Sequence, residues 1–539
     1  MTEPAEKETH AAVSFQQALE LFAADRFPEA AAVCRRILVS EPRYSRALHM
    51  LARIFADEGK LTEGLACIER ALRLEPQSVE MHVASASMLL YAGRLAEAES
   101  AVQAGLAVQP QAPALLDIQG AIFLQRGDSR AAETCFRHVL QLVPGHPGAR
   151  GNLALLYERN NRLEEALRLA QSGLTDRPED VTLRLVLGRC QRRQGEYEAA
   201  RATLAGLQQA GTPMLRRDVE YELALCADAL EDTAGAFEHS QRANNLAREL
   251  LPQMLADGQR FMTTIQVLRT GFTPEWVANW RELPTDDSIL PIFLVGFPRS
   301  GTTLLDSMLG SHPDLMVLEE RPTVHAMVNR LARSTSGYPE ALRELRDSER
   351  AALRRDYLEA AGEKAPGTRR LLDKSPFMTV HLGLIQRVFP NASIVFMTRH
   401  PCDVVLSCFM TNFELNSGTT HFTGLAETVA LYCEVMALWR QYVNVLPLNY
   451  RQLRYEDLLA QPEPELRSLT TFLGLTWSVA LLEHTVYAAA RGRINSASYA
   501  QVTQPLYHGA HDRWRRYARY LEPYFPQLRP WCEYFGYGL

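Results

Sequence analysis

The stretch PIFLVGFPRSGTTLLDSM, residues 291–308, contains the pattern that decides how the second half of this chain folds. It opens with a short apolar run that ends in turn residues, which is typical of a buried parallel strand. Its last part has the apolar spacing of a helix. Between them, Gly296 to Thr303 fits a phosphate-binding loop, except that Thr302 stands where a P-loop nucleotidase carries its lysine. The sequence therefore predicts a strand–loop–helix unit that suits a single phosphate better than a magnesium triphosphate.

Two further segments have the pattern of strands, namely ASIVFMTRHP at 392–401 and LNYRQLRYEDLL at 448–459. Helix-like segments separate them, and this alternation favours a parallel sheet covered on both faces. Ligands of such sheets bind at the carboxyl ends of the strands. We therefore expect Pro298–Thr303 and Arg399–Cys402 to lie along one crevice, with backbone N–H groups, hydroxyls and two arginines available to an anion.

Length and composition narrow the classes of protein that need to be considered. The chain has 539 residues, too many for one ordinary core, and a net charge of −6 that argues against a general nucleic-acid binder. It contains no run of 18 apolar residues, and its N-terminus is polar and acidic. The nine cysteines are scattered without a CxxC pair. These features predict no membrane span and a reducing, cytoplasmic location.

The first half of the chain is periodic, because prolines recur every 34 residues at positions 42, 76, 110, 144 and 178. Small residues recur with the same period at two positions, where two helix axes can approach closely. They are Ala18, Ala52, Ala86, Gly120, Ala154 and Gly188, and Ala30, Gly64, Ala98, Ala132, Ala166 and Ala200. This segment resembles a tetratricopeptide repeat array of six to seven repeats.

The predicted domain boundaries follow from the residues at which the 34-residue period begins and ends. Residues 1–10 are expected to be disordered, 11–250 to form the array, 251–287 to connect, and 288–539 to form the α/β domain. The predicted fold is thus an all-α superhelix followed by a P-loop-like parallel-sheet domain. The concave surface of such an array suits a protein or peptide partner. The alternative is a spacer or an oligomerisation arm, including one that joins copies of this chain.

Two motifs carry a resemblance to a second family. PRSGTTLL is similar to the loop that binds the 5′-phosphosulfate in sulfotransferases that use 3′-phosphoadenosine-5′-phosphosulfate (PAPS). FMTRHPCDVVLS is similar to their 3′-phosphate motif, in which an arginine is followed eight residues later by a serine, here Arg399 and Ser407. The resemblance implies PAPS as co-substrate and no required metal.

Departures from the cytosolic small-molecule enzymes point to one branch of that family. The chain has Arg299 in the loop, DKSPF at 373–377, and Glu319 and Glu320 at 20 and 21 residues after Arg299. These features resemble the protein-tyrosine sulfotransferase branch, although Pro322 stands near the point where those enzymes carry an arginine. Bacterial chains that fuse tetratricopeptide repeats to such a domain are the most similar of all.

The resemblance also implies roles for individual residues. It assigns catalysis to Glu320 as general base, with Arg299 and Lys374 beside the transferring group. Arg513 stands where the family has a lysine, and Arg515 or Arg516 is the alternative. The implied cofactor-binding residues are Pro298, Arg299, Ser300, Gly301, Thr302, Thr303, Leu304, Arg399, Ser407, Tyr455, Ser498 and Arg513.

The expected activity is transfer of a sulfuryl group to an acceptor hydroxyl, with tyrosine in a recruited protein or peptide as one candidate acceptor. The alternatives are a carbohydrate, lipid or small-molecule hydroxyl with the repeats used for assembly, a P-loop kinase, and a non-catalytic scaffold. Residues 408–427 are polar and aromatic, and they are either a lid over the acceptor or an ordinary long loop.

Overall fold

The structure is a computed structural model that describes residues 3–250, 252–284, 289–362, 369–483, 485, 487 and 512–539. The chain divides into two compact units, Met1–Cys190 and Gln191–Leu539. The division falls inside a helix of the repeat array, so the last helices of the array belong to the second unit. Among the described residues, no helix combines the length and the apolarity needed to cross a membrane.

The array consists of antiparallel helix pairs, as the 34-residue period predicts. Its helices are α1 Glu3–Ala23, α2 Phe27–Ser40, α3 Ser45–Asp57, α4 Leu61–Leu74, α5 Val79–Tyr91, α6 Leu95–Val108, α7 Pro113–Gln125, α8 Ser129–Leu142, α9 Pro147–Arg159, α10 Leu163–Asp176, α11 Val181–Arg193, α12 Tyr197–Ala205, α13 Pro213–Ala229 and α14 Thr233–Leu250. Residues 3–10, for which the sequence suggests disorder, form the first two turns of α1, in keeping with the helix propensity of their Ala, Glu and Lys residues.

Small residues lie where the helices of a pair meet. Ala52 and Ala86 are fully buried, and a Cβ atom added to Gly120 would lie 2.5 Å from Cε1 of Phe136 on the partner helix α8. The turn inside each pair follows the same 34-residue period, since each of these turns contains one residue with a positive φ angle. These residues are Asp25, Gly59, Gly93, Gly127, Asn161 and Gly195. Glycine and asparagine adopt this left-handed conformation at little cost.

The predicted connecting segment is largely helical. It contains α15 Pro252–Gly271 and α16 Pro274–Ala278. Met262, Ile265 and Phe272 are buried in the same core cluster as the sheet residues Phe293 and Val295. The segment therefore contributes to the core of the second unit.

The second unit contains one five-stranded sheet in the order β2-β3-β1-β4-β5, and every pair of neighbours is parallel. Its strands are β1 Ile292–Gly296, β2 Leu315–Glu319, β3 Arg370–Lys374, β4 Ser393–Thr398 and β5 Tyr450–Arg454. The helices that follow α16 are α17 Thr302–Leu309, α18 Thr323–Ala332, α19 Asp347–Ala360, α20 Leu382–Val388, α21 Pro401–Phe409, α22 Leu425–Val445, α23 Tyr455–Ala460, α24 Pro462–Leu473, α25 Ala518–Leu521 and α26 Phe525–Tyr534.

Both faces of the sheet are covered, which explains the apolar run in the opening stretch. Alternate residues of β1 enter two different core clusters, with Phe293 and Val295 in one and Ile292 and Leu294 in the other. All four are fully buried. A strand that is buried on both faces has a continuous apolar sequence, so the prediction of a buried parallel strand is confirmed.

The strands predicted at 392–401 and 448–459 form β4 and β5. Strands β2 and β3 were not predicted from the sequence. Each has five residues, and β3, with the sequence RLLDK, has only two apolar residues. Its Asp373 and Lys374 are nevertheless fully buried, because partners supplied by the fold surround them.

Candidate active site

The carboxyl ends of all five strands meet at one edge of the sheet, and residues singled out from the sequence lie at each of them. The loop 297–301 follows β1, Glu320 follows β2 and Lys374 ends β3. Arg399 follows β4, and Tyr455 begins the helix after β5. The register brings these ends level, since Glu319 pairs with Lys374 and Thr398 with Arg454. The segments that the sequence predicts along one crevice therefore lie at the same edge of the sheet.

The phosphate-binding loop is shaped by Gly301, which has a φ angle of +101° and precedes the first residue of α17. A Cβ atom at this position would lie 2.4 Å from Cδ2 of Tyr455. Only glycine lets the Tyr455 ring pack this closely against the loop. The loop then leads into the N-terminus of α17, and backbone N–H groups at a helix N-terminus can bind an anion.

A hydrogen bond joins the loop to the second predicted motif, 108 residues away in sequence. The Nε of Arg299 donates to Oγ of Ser407 at 2.9 Å. Nη1 of Arg399 donates to the backbone oxygen of Arg299 at 3.3 Å, and its guanidinium lies 5.0 Å from the centre of the Tyr455 ring. Ser407 lies in the second turn of α21. The two motifs thus form one cationic surface.

The charges at this surface repel one another. Burial, followed by repulsion from Arg399 and Arg513, lowers the pKa of Arg299 to about 10. Arg299 also has a φ angle of +70°, a conformation that is uncommon outside glycine. A bound polyanion would relieve the repulsion among the three guanidinium groups. The arrangement is therefore suited to a ligand with several negative charges.

Ser300 provides a second indication of a ligand. Its side-chain oxygen is buried, and among the described residues it has no hydrogen-bond partner. A buried hydroxyl without a partner is destabilising, and partners of such groups are commonly water or a ligand. Because Ser300 lies in the phosphate-binding loop, this oxygen fits a role in anion binding.

An ion pair lies at the neighbouring strand ends. Nζ of Lys374 is 2.7 Å from Oε1 of Glu320 and 4.0 Å from Oε1 of Glu319. Lys374 is fully buried, whereas 41% of the Glu320 side chain is exposed. Glu320 has a positive φ angle, and its N–H donates to the backbone oxygen of Lys374. A buried ammonium therefore holds an accessible carboxylate at the crevice.

Asp373, which precedes Lys374 in β3, links this ion pair to helix α18. Oγ1 of Thr323, at the start of α18, donates to Oδ2 of Asp373 at 2.7 Å. Burial raises the pKa of Asp373 to about 7, against hydrogen bonds from Thr323 and Tyr357 that lower it. The contact ties the end of β3 to the segment that carries Glu320. Asp373 is thus placed to hold the Glu320–Lys374 pair in position.

Comparison with known families identifies both halves of the chain. Residues 291–479 match the family model described as Sulfotransferase family. Residues 291–479 form a sulfotransferase-family domain. The array before it matches the model described as Tetratricopeptide repeat over 15–78 and 49–114, and again over 123–180 and 160–213. The resemblance drawn from the two motifs and from the 34-residue period is confirmed.

The chain is similar in sequence to several known proteins. Protein-tyrosine sulfotransferase 2 of Gallus gallus is 30% identical over 240 residues, which are 41% of this chain and 62% of that protein. An uncharacterized protein of Aquifex aeolicus is 28% identical over 405 residues, 72% of this chain and 51% of that protein. The solved structure of a thermophilic TPR protein of Thermus thermophilus matches with a TM-score of 0.31 and 24% sequence identity. The match covers 33% of this chain and 98% of the Thermus protein. The chain thus spans between half and two thirds of the length of these two sequence relatives.

Most residues predicted from the sequence come together at the carboxyl edge of the sheet, and the remaining ones have other contacts or lie outside the described residues. Pro298 accepts a hydrogen bond from the Cys408 thiol through its backbone oxygen, and Leu304 packs in the core. Arg513 forms an ion pair with Asp228, as does Arg516, whereas Arg515 pairs with Asp512. Ser498 lies outside the described residues.

Three positioning contacts were not predicted from the sequence. Oγ1 of Thr379 accepts from the N–H of Gly296 and donates to its oxygen, which fixes the end of β1. The carboxylate of Asp403 accepts from the N–H groups of Asp512 and Trp514. Asp228 of α13 binds Arg513 at 3.1 Å. Asp403 lies inside the second motif and could have been suspected, whereas no local signal marks Thr379 or Asp228.

One group of potential metal ligands occurs among the described residues. His400, Cys402 and Cys532 are buried, with side-chain atoms within 4.8 Å of one another. Nε2 of His400 is 2.8 Å from the backbone oxygen of Gly538, and Nδ1 accepts from the N–H of Cys402. Both ring nitrogens thus have structural partners, and the ring packs on Trp514. This group is best explained as packing behind the second motif.

The segment 408–427, left open as a lid or a loop, is held by the helices before the sheet. Nη2 of Arg217 donates to the backbone oxygen of Phe413 at 2.6 Å, and Asn412 donates to Asp218 at 2.8 Å. Phe422 is buried in the main core cluster of the unit. These contacts favour an ordinary long loop that is held in place over a lid that moves above the acceptor.

Proposed function

We propose that this chain is a PAPS-dependent sulfotransferase that transfers a sulfuryl group to an acceptor hydroxyl. The observation that carries the proposal is the hydrogen bond between Arg299 and Ser407, which unites the loop and the second motif in one site. The Ser300 oxygen, which has no hydrogen-bond partner in the described part of the chain, and the mutual repulsion of three arginines support a ligand with several anionic groups. PAPS carries a 5′-phosphosulfate and a 3′-phosphate, so it matches a surface built from two phosphate motifs.

The residues at the carboxyl edge can perform the transfer. The acceptor oxygen forms a bond to sulfur while the bond between sulfur and the bridging oxygen breaks, and adenosine 3′,5′-bisphosphate (PAP) leaves with the electron pair. Glu320 accepts the proton of the acceptor hydroxyl as general base. Lys374 holds Glu320 at 2.7 Å and, with Arg299 and the first N–H groups of α17, stabilises the negative charge that develops on the leaving oxygen.

We propose a tyrosine hydroxyl in a protein or peptide as the acceptor to test first, because relatives of the domain carry the name protein-tyrosine sulfotransferase. The repeat array would recruit that polypeptide. In the first unit, the inner helices α3 and α5 and the start of α7 line a groove of about 650 Å³ whose lining includes Arg53, Glu80 and Val83. A groove with both apolar and charged walls suits an extended peptide. A homo-oligomer and a cytoplasmic location stay predictions from the sequence.

The decisive experiment measures nucleotide binding and sulfuryl transfer with the full chain. We expect the purified protein to bind PAP more tightly than 5′-AMP, and Ser407→Ala to reduce that preference. With radiolabelled PAPS and a host lysate, label should appear on a polypeptide, and digestion of that polypeptide should yield sulfotyrosine. Label on a glycan or lipid would transfer the proposal to that acceptor class. Magnesium-dependent ATP binding without affinity for PAP would refute the sulfotransferase function.

A further inference from the structure

The helical hairpin α13–α14 lies in the compact unit Gln191–Leu539, together with the sulfotransferase-family domain. It contacts the end of α21, the helix that carries Ser407. Asn244 of α14 donates to the backbone oxygen of Phe409 at 3.0 Å, and Tyr221 of α13 donates to Asn244 at 2.6 Å. The Phe237 ring lies 5.0 Å from the Phe409 ring. The hairpin therefore supports the last turn of the helix that bears the second motif.

The strongest polar contact of the hairpin is made by Asp228, the penultimate residue of α13. Its carboxylate accepts from Nη2 of Arg513 at 3.1 Å, from Nε of Arg513 at 3.3 Å and from the Tyr517 hydroxyl at 2.6 Å. Arg516 donates to it at 3.2 Å. Only 19% of the Asp228 side chain is exposed. Two cations and a phenol thus converge on one half-buried carboxylate.

Arg513 also contacts the residue that follows α21, the helix that carries Ser407. Its Nη2 is 3.5 Å from Sδ of Met410, three residues after Ser407. The N–H groups on either side of it, those of Asp512 and Trp514, donate to Asp403 of the same helix. Its backbone is therefore fixed to α21, and its charge is near enough to Arg299 to help lower the pKa of Arg299.

We propose that Asp228 is a positioning residue for the nucleotide site, and that it makes the last helical hairpin of the array a structural part of that site. The inference rests on the proposed function. A carboxylate that binds the Nε and Nη2 edge of a guanidinium limits its rotation and directs the remaining N–H groups away from itself. Arg513 is thereby presented to a phosphate beside Ser407 at a smaller entropic cost than an unrestrained arginine would require.

The test is a titration of PAP and 5′-AMP against the full chain and its variants. Asp228→Ala should weaken PAP binding about tenfold, the loss expected when one charge-assisted hydrogen bond to a phosphate is impaired. It should weaken 5′-AMP binding much less. Asp228→Asn keeps a side-chain oxygen for Tyr517, so it should preserve folding and still reduce the affinity for PAP. Glu238→Gln is the matched control, because Glu238 lies on α14 with 68% of its side chain exposed and forms a long ion pair with Arg242 at 3.8 Å.

A double variant separates positioning from a merely structural role. If Asp228 acts through Arg513, Arg513→Ala alone should weaken PAP binding, and adding Asp228→Ala should weaken it no further. A double variant that loses affinity for PAP by the sum of the two single effects would overturn the proposal. PAP affinity that is unchanged in both Asp228 variants would overturn it as well. Failure of the unaltered chain to bind PAP would remove the proposed function together with this inference, whereas PAP binding that is indifferent to Asp228 would remove the inference alone.

Discussion

Replacing Gly301 by alanine tests how the phosphate-binding loop is built. Gly301 has a φ angle of +101°, and an added Cβ atom would lie 2.4 Å from Cδ2 of Tyr455 and 3.1 Å from Cε of Met397. Ordinary contacts to a Cβ atom begin near 3.4 Å. The Tyr455 ring must therefore move, or the loop must withdraw from the strand ends.

Two costs combine in this variant. The left-handed backbone conformation costs alanine about 1–2 kcal/mol, and overpacking against the partly buried Tyr455 ring costs about 1–3 kcal/mol. We therefore expect Gly301→Ala to lower the free energy of unfolding by about 2–5 kcal/mol. Displacement of Tyr455 also shifts the Arg399 guanidinium, which lies 5.0 Å from the ring centre. The affinity for PAP should fall at least tenfold, or by about 1.4 kcal/mol.

Gly474 provides the matched control in the same unit. Its φ angle is +67°, and no atom of the described residues lies within 4 Å of a Cβ atom added there. Gly474→Ala therefore carries the backbone cost of about 1–2 kcal/mol without the steric one. It should bind PAP like the unaltered chain.

The assay compares urea unfolding of the two variants with isothermal titration of PAP. Gly301→Ala should be less stable than Gly474→Ala and should alone lose affinity. Equal stability and equal PAP affinity in the two variants would refute the reasoning that the contact between Gly301 and Tyr455 shapes the loop.

Three further predictions concern the carboxylates of the site and the groove of the array. Glu320→Gln should lower kcat by at least about 100-fold with little change in PAP affinity. Glu319→Gln should retain most of the turnover. If a kcat assay gave the reverse order, the role of general base would pass to Glu319. Because folding raises the Asp373 pKa from 3.8 to about 7, the stability that this group contributes is fully present below pH 3.8 and is lost as pH rises through about 7. Urea midpoints between pH 5 and 8 should therefore depend less on pH in Asp373→Asn, and an unchanged slope would contradict the assignment. Arg53→Glu in the groove should raise the KM for a polypeptide acceptor and leave the KM for PAPS unchanged, and an unchanged acceptor KM would argue against recruitment by this groove.

The sequence was most informative where the pattern follows from local physical chemistry. The 34-residue period requires small residues where helices meet, and the pattern reads directly as Ala and Gly at fixed intervals. The run IFLVG is continuous because β1 is buried on both faces. The loop and the arginine–serine motif are short, contiguous and chemically specific, so both are recognisable from the sequence alone.

The sequence was less informative where stability comes from distant partners. Strand β3 contains Asp373 and Lys374, which no hydrophobic pattern reveals because their partners Thr323 and Glu320 come close only after folding. The sequence also gives no sign that the hairpin α13–α14 lies in the same compact unit as the sheet. Its bonds to α21 and Arg513 join residues that are more than 100 positions apart.

By itself, the sequence determined the helical repeats, the buried strand, the two phosphate motifs and the family they indicate, because each depends on residues that are close along the chain. Only the tertiary structure decided that Arg299 binds Ser407, that Lys374 is buried against Glu320, and that Asp228 binds Arg513. These pairs are created when parallel strands align their carboxyl ends and when a helical hairpin packs beside them. A local pattern cannot specify which charges will meet, since that depends on the order of the strands and on the burial of the whole unit.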